Sequence, residues 1–132
     1  MQAFLKLLLV LWASPYSALG VCIGLLGCAT GGKGRLRDSA LEFYGGGTRW
    51  MVRRLPLGDR TAGITLGHVI LGQEDKMLVQ IGAHERVHVR QFERWGPLMG
   101  PAYLIASLWA WGRGGDAYWD NVFEKEAYRE AP

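Results

Sequence analysis

The sequence predicts a small α+β protein with an N-terminal membrane helix, a small antiparallel sheet, a helix carrying an H-E-x-x-H motif, and further helices after it. Three observations carry this prediction. Residues 3–30 contain a single charge, residues 40–71 contain short segments typical of strands, and residues 75–95 repeat apolar side chains at helical spacing. Since 132 residues suffice for one sizeable core, we expect a membrane-associated segment at residues 1–30 and one domain at residues 31–132.

The N-terminal apolar segment is long enough to cross a bilayer, for which about 20 residues suffice. Lys6 is its only charge and Pro15 interrupts it. Three glycines recur on one side of the predicted helix as a small-residue packing face: Gly20, Gly24 and Gly27. Basic residues follow at positions 33–37, whereas the N-terminal flank has little positive charge. By the positive-inside rule we therefore expect a membrane protein whose main domain is cytoplasmic.

Three other interpretations of this segment stay open. A cleaved signal peptide has a basic start and a shorter apolar run. A lipoprotein would begin at Cys28, which follows Leu25-Leu26-Gly27. A re-entrant pair of short helices, broken at Pro15, would lie partly in the membrane interface.

The composition excludes a disordered chain and argues against nucleic-acid binding. Six Trp, five Tyr and four Phe residues provide aromatic surface that collapses or associates. A mean hydropathy of +0.03 with 20% charged residues indicates apolar surface that meets lipid or a membrane protein partner. The net charge of +3 is small and the basic residues form no single stripe, so we expect no nucleic-acid partner.

The middle of the chain contains three segments with strand character: residues 40–44, 48–53 and 62–71. The glycines at positions 45–47 separate the first two segments as a hairpin turn would. His68 lies on one face of the third segment, where it is either an ordinary strand residue or part of a site.

The motif His84-Glu85-Arg86-Val87-His88 lies within the best predicted helix, residues 75–95, which Gly96-Pro97 should end. Residues four apart on a helix share one face, so both imidazoles can reach one Zn²⁺ while Glu85 lies beside a metal-bound water. The same helix carries a basic stripe that we expect to face solvent or lipid head groups: Arg86, Arg90 and Arg94.

A third ligand is expected because a catalytic zinc usually has three protein ligands and one open position. The late stretch Phe123-Glu124-Lys125-Glu126-Ala127 offers carboxylates. Here the sequence resembles the gluzincin metallopeptidases, in particular the membrane zinc proteases that process prenylated proteins and their bacterial heat-shock relatives. The resemblance implies Glu124 as third ligand, with Glu126 in reserve. A capping box at the start of the last helix is the alternative role of Glu124.

The resemblance covers little more than residues 83–128, and Tyr128 stands where those proteases have an Asp. The same residues resemble small uncharacterised bacterial membrane-associated proteins with a minimal peptidase-like core. The expected function is zinc-dependent hydrolysis of a peptide or protein substrate, with Glu85 as general base and His68, Tyr103 or Tyr128 as candidates to stabilise the oxyanion. The alternative is a non-enzymatic membrane scaffold with a structural metal or none, which closure of the site by His68 or Glu126 would favour.

Overall fold

The structure is a computed structural model that describes residues 2–38, 40–54 and 62–131. These residues form helices packed on both faces of a small sheet, so the α+β class is confirmed. In chain order the elements are α1 (Gln2–Trp12), α2 (Ser14–Ala29), β1 (Lys33–Arg37), β2 (Ala40–Tyr44), α3 (Gly46–Val52), β3 (Gly63–Leu66), β4 (Val69–Gly72), α4 (Asp75–Trp95), a 3-10 turn (Gly96–Leu98), α5 (Met99–Gly112) and α6 (Val122–Glu130).

The sheet is mixed, with strand order β1-β2-β4-β3, so the expectation of an antiparallel sheet is wrong in part. The outer pairs β1–β2 and β3–β4 are antiparallel, whereas β2 and β4 run parallel with Leu41 opposite Val69. After β2 the chain continues through α3 to β3, which forms the outer edge of the sheet. It then turns back into β4, which lies between β3 and β2 and therefore runs parallel to β2.

Two of the predicted strands have a different structure. Residues 48–53 belong largely to α3, where Thr48 and Val52 are buried one turn apart. Gly45 and Gly46, at φ 76° and 51°, begin this helix instead of turning a hairpin. The segment 62–71 divides at a turn containing Gly67, at φ 63°, so its two halves pair with each other.

Strand β1 was missed because its charged side chains hide the alternation expected of a strand. Arg35 and Arg37 of β1 point to Glu42 of the neighbouring strand, which is fully buried. A buried carboxylate needs charged or hydrogen-bonding partners, and these arginines supply them. The basic residues after the apolar segment therefore stabilise the sheet.

One face of the sheet is covered by α2 through its glycines. Gly20 lies against Val69, Gly24 against the ring of Phe43, and Gly27 against Thr48 of α3. The predicted small-residue face therefore exists, and it packs on the chain's own sheet and on α3. No single helix within the described residues is long and apolar enough for a membrane crossing; α1 and α2 reach that length only together, and they are bent by 71°.

The other face of the sheet is covered by α4, whose predicted extent, residues 75–95, is confirmed together with its end at Gly96, which has φ 55°. Its buried residues pack against the sheet through a cluster of Ala40, Ile70, Leu78 and Val89. The following helices cover the outer side of α4 through a second cluster, which contains Phe92, Met99 and Phe123. The motif helix is thus enclosed between the sheet and the C-terminal helices.

Candidate metal centre

Three ligand atoms meet between α4 and α6. His84 and His88 lie one turn apart on α4, with their Nε2 atoms 3.3 Å from each other. The Oε1 atom of Glu124, on α6, lies 3.0 Å from each of these nitrogens. All three residues are at most 9% exposed. The structure thus brings together the three residues named from the sequence, and this cluster can hold a metal ion.

The spacing of these atoms fits a tetrahedral cation. Ligands bound about 2.0–2.1 Å from a tetrahedral zinc lie roughly 3.3–3.4 Å from one another. The N···N separation of His84 and His88 has this value, and their distances to Glu124 are 3.0 Å. The Glu124 oxygen therefore has to move only a few tenths of an ångström (~0.3–0.4 Å) away from the two nitrogens for the cluster to match tetrahedral zinc.

Gln91 determines the orientation of the His88 ring. Its Oε1 atom lies 2.7 Å from Nδ1 of His88, and its Nε2 donates to the carbonyl oxygen of Phe123 and to Oε1 of Glu126. Because both of those oxygens accept hydrogen bonds only, the amide nitrogen of Gln91 must face them and its oxygen must face His88. In the neutral ring Nδ1 therefore carries the proton, and Nε2 points a lone pair at the metal position.

Tyr103 of α5 orients the carboxylate. Its hydroxyl donates to Oε2 of Glu124 at 2.6 Å, which leaves Oε1 to face the histidines. Burial tends to raise the pKa of Glu124, but its hydrogen bonds with His84, His88 and Tyr103 lower it to about 2. Burial likewise tends to lower the pKa of His88, but its contact with Glu124 raises it to about 9. The carboxylate of Glu124 therefore stabilises a positive charge beside it, whether on the ring of His88 or on a bound cation.

Glu85 lies beside the cluster and faces the same cavity. Its Oε2 accepts a hydrogen bond from the Thr65 hydroxyl on β3 at 2.7 Å. Burial raises the pKa of Glu85 above its ordinary value. Glu85 therefore lies next to two candidate ligands, and Thr65 of β3 holds its carboxylate in place. This is the position that a general base needs.

A cavity of about 700 Å³ opens over these residues. Strand β3 forms one wall with Ile64 and Leu66, and α5 forms another with Met99 and Tyr103. Most of these side chains are apolar, and the polar groups gather at the histidines and the two glutamates. An apolar cavity with a few converging polar groups is typical of a site for a small molecule or a peptide side chain.

Of the remaining sequence candidates, Glu126 and His68 lie outside the cluster, whereas Tyr128 lines the cavity. Glu126 pairs with Gln91 and Arg94, and His68 lies in the turn before β4 with its Nε2 2.9 Å from Glu93, so neither closes the cluster. Tyr128 packs its ring on that of His84, with 4.3 Å between centroids. Its hydroxyl lies 3.0 Å from that of Tyr118.

The start of α6 is capped without Glu124. The side chain of Asn121 accepts a hydrogen bond from the backbone N–H of Phe123, as an N-cap residue should. The Glu124 carboxylate instead turns inward to the histidines and Tyr103. The alternative capping-box role is therefore not the one that its side chain takes in the structure.

The basic stripe of α4 is solvated only in part. Arg90 and Arg94 are more than half exposed, but Arg86 is 15% exposed and its Nη2 donates to Glu42 at 2.9 Å. The expected solvent-facing role of Arg86 is therefore wrong, because the buried carboxylate of β2 lies within its reach. The motif helix is joined to the sheet by this ion pair.

Gln91 and Thr65 were not singled out from the sequence. Gln91 follows His88 by three residues and so shares its helix face, a local signal that was present in the sequence. Nothing local indicates Thr65, because β3 meets α4 only in the tertiary structure.

The chain matches no protein-family model, no curated protein and no solved structure.

Proposed function

We propose that the chain is a zinc-dependent metallopeptidase that hydrolyses peptide bonds at or near a membrane. The observation that carries the proposal is the convergence of two imidazole nitrogens and one carboxylate oxygen, within 4.8 Å of one another, beside the carboxylate of Glu85. Two histidines and a glutamate are a ligand set typical of catalytic zinc, with a fourth position left open.

His84, His88 and Glu124 would hold the zinc. A zinc ion bound there supplies Lewis acidity, which polarises a carbonyl and acidifies water. Gln91 holds the His88 ring in the tautomer that presents Nε2, and Tyr103 holds the carboxylate of Glu124. These contacts lower the cost of assembling the ligands because the side chains are already oriented.

Glu85 is the residue that would move the proton. It accepts the proton of the attacking water and passes it to the leaving amine as the peptide bond breaks. The Thr65 hydroxyl restrains its Oε2, which keeps the carboxylate directed to the cavity. This contact also ties the base to the strand that forms the cavity wall.

The substrate would bind as an extended peptide along β3. This strand lies at the edge of the sheet and lines the cavity. Its outer edge pairs with no other strand among the described residues, so an added strand can pair with it. The apolar walls around it, including Ile64, Leu66 and Ile81, favour substrates with apolar side chains next to the scissile bond.

The test combines metal content with one conservative substitution. Protein purified without chelator should contain close to one zinc per chain, and His88→Ala should lose it. Glu85→Gln should keep the zinc and the fold and abolish peptide hydrolysis. The control Glu130→Gln, at an exposed position on α6, should change neither the zinc content nor the rate of hydrolysis. Hydrolysis that survives Glu85→Gln would overturn the mechanism, and zinc retained without hydrolysis in the wild type would favour the structural-metal scaffold.

A further inference from the structure

Helix α1 is exposed on nearly all sides although it is apolar. It contains no buried residue, and its exposed large side chains follow one another around the helix: Phe4, Leu5, Leu7, Leu8, Val10, Leu11 and Trp12. Its one charge, Lys6, pairs with Glu93 of α4 at 3.3 Å. A protein partner covers one face of a helix, whereas lipid chains surround it. The exposure around α1 therefore fits lipid as its environment.

Helix α5 presents a second apolar face. It has no charged residue between Met99 and Gly112, and its outward side chains are exposed: Leu104, Ile105, Leu108, Trp109 and Trp111. The opposite face lines the cavity of the candidate site through Tyr103 and Ser107. Arg113, just after the helix, stacks over Trp109, with 5.5 Å to the ring centroid. Trp and Arg at the end of an apolar helix are typical of a membrane interface.

The two helices adjoin at one corner of the molecule. Trp12, at the end of α1, packs against Gly96 in the turn before α5. The hydroxyl of Tyr16, in the first turn of α2, donates to the carbonyl oxygen of Pro97 and accepts from the N–H of Gly100. The exposed faces of α1 and α5 thus flank the same turn.

We propose that α1 and α5 form a bilayer-contact surface that enters one leaflet without crossing the membrane. An 11-residue helix is about 16 Å long, roughly half of the hydrocarbon core. The next helix, α2, is bent by 71° from α1 and packs on the sheet through Gly20 and Gly24 and on α3 through Gly27. It cannot continue α1 across the bilayer without leaving Phe43 and Val69 uncovered.

The surface also indicates where substrate comes from, a consequence that rests on the proposed function. Because α5 touches lipid on one face and the cavity on the other, the candidate metal lies about one helix diameter from the bilayer. The favoured substrate is then a polypeptide segment lying at the membrane surface. The lipid contact itself is independent of any metal.

Flotation with phosphatidylcholine vesicles tests the surface in the full-length protein. The wild type should float with these uncharged vesicles. Two double variants should partition into them at least roughly tenfold more weakly. One combines Leu7→Glu with Leu11→Glu, and the other combines Ile105→Glu with Trp109→Glu. Val79→Glu, at an exposed apolar position of α4, is the matched control and should float like the wild type. Matching circular-dichroism spectra and cooperative urea unfolding in all variants would show that they fold.

Three outcomes would overturn the proposal. The wild type fails to float, or both double variants float like the wild type, or the detergent-free wild type is an oligomer that the same substitutions separate. The last result would assign the surface to a second copy of the chain. None of these results depends on peptidase activity.

Protease accessibility separates insertion into one leaflet from a crossing. Epitope tags before Met1 and after Pro132 should both be digested from outside sealed vesicles to which the protein was added. Protection of the N-terminal tag alone would mean that the N-terminal helices cross the bilayer, which would overturn the one-leaflet geometry.

Discussion

Gln91 accepts a hydrogen bond from Nδ1 of His88 at 2.7 Å, and its own orientation is fixed by two acceptors, Phe123 O and Glu126 Oε1. Glu126, the reserve ligand, therefore acts on the cluster only through Gln91. Tyr128 packs on the ring of His84, while a glutamine of the motif helix orients His88.

Replacing Gln91 by Leu should weaken zinc binding by about 10- to 100-fold, because His88 loses the acceptor that fixes its tautomer. The measurement is zinc affinity by competition with a chelating dye, with the melting temperature of the metal-free protein as a check of folding. Gln2→Leu, the same substitution at an exposed position of α1 outside the cavity, is the control. Unchanged affinity in Gln91→Leu would contradict this role of the amide.

Glu124→Ala should abolish tight zinc binding, whereas Glu126→Ala should stay within a few-fold of the wild type. Glu124 provides the oxygen of the cluster, while Phe123 O still holds Gln91 in place when Glu126 is removed. Asn121→Ala separates ligand from cap. It should keep the zinc and cost more stability than the ~1 kcal/mol of a cap alone, because Asn121 is buried and its Nδ2 also donates to Tyr103 O and Ser107 Oγ. Zinc lost in Glu126→Ala alone would reverse the assignment.

Glu42→Gln should reduce stability by about 2–3 kcal/mol at neutral pH, because Glu42 is fully buried among arginines. Burial tends to raise the pKa of Glu42, but Arg35, Arg86 and Arg37 lower it below the ordinary value of 4.5. A lowered folded-state pKa stabilises the protein above about pH 4.5, and that stabilisation is lost as the pH falls through the folded-state pKa.

The pH dependence of unfolding checks this sign. The difference in stability between the wild type and Glu42→Gln should be constant above pH 4.5 and shrink below it. Glu130→Gln removes an exposed ion pair with Arg90 and should change stability by less than about 1 kcal/mol at any pH. A difference that grows on acidification would show that the sign is wrong.

Gly24→Ala should destabilise the protein by about 1–3 kcal/mol, because the added Cβ would overlap the ring of Phe43. Gly112→Ala, at the end of α5, meets nothing within 4 Å and should be neutral or slightly stabilising. Urea unfolding of both variants measures the contrast. If α2 served only as a lipid anchor, the two substitutions would have equal effects.

The same packing bears on the signal-peptide and lipoprotein interpretations. A mature chain that began at Cys28 would lack Gly20 and Gly24, and it would leave Phe43 and Val69 without their cover. We therefore expect such a chain to be less stable than the full chain. The domain boundary at residue 30 and the cytoplasmic location stay predictions.

The helix predicted with the correct bounds, α4, is the element with the longest periodic hydrophobic pattern in the sequence. The extent of α4 follows from a helical period over 21 residues, a glycine at its end, and acidic residues at its start. The predicted strands failed where the segments were short. Residues 48–53 contain one helical turn of buried positions, Thr48 and Val52, which two-residue alternation cannot distinguish from a strand.

The sequence by itself determined the helix with His84 and His88 on one face, because residues four apart on a helix are neighbours whatever surrounds them. Only the tertiary structure decided which carboxylate lies beside them, since Glu124 is 36 positions beyond His88 and its direction depends on which face of α6 packs against α4. It also decided the strand order and the burial of the α2 glycines. These features depend on contacts between residues distant in the chain, on which local periodicity carries no information.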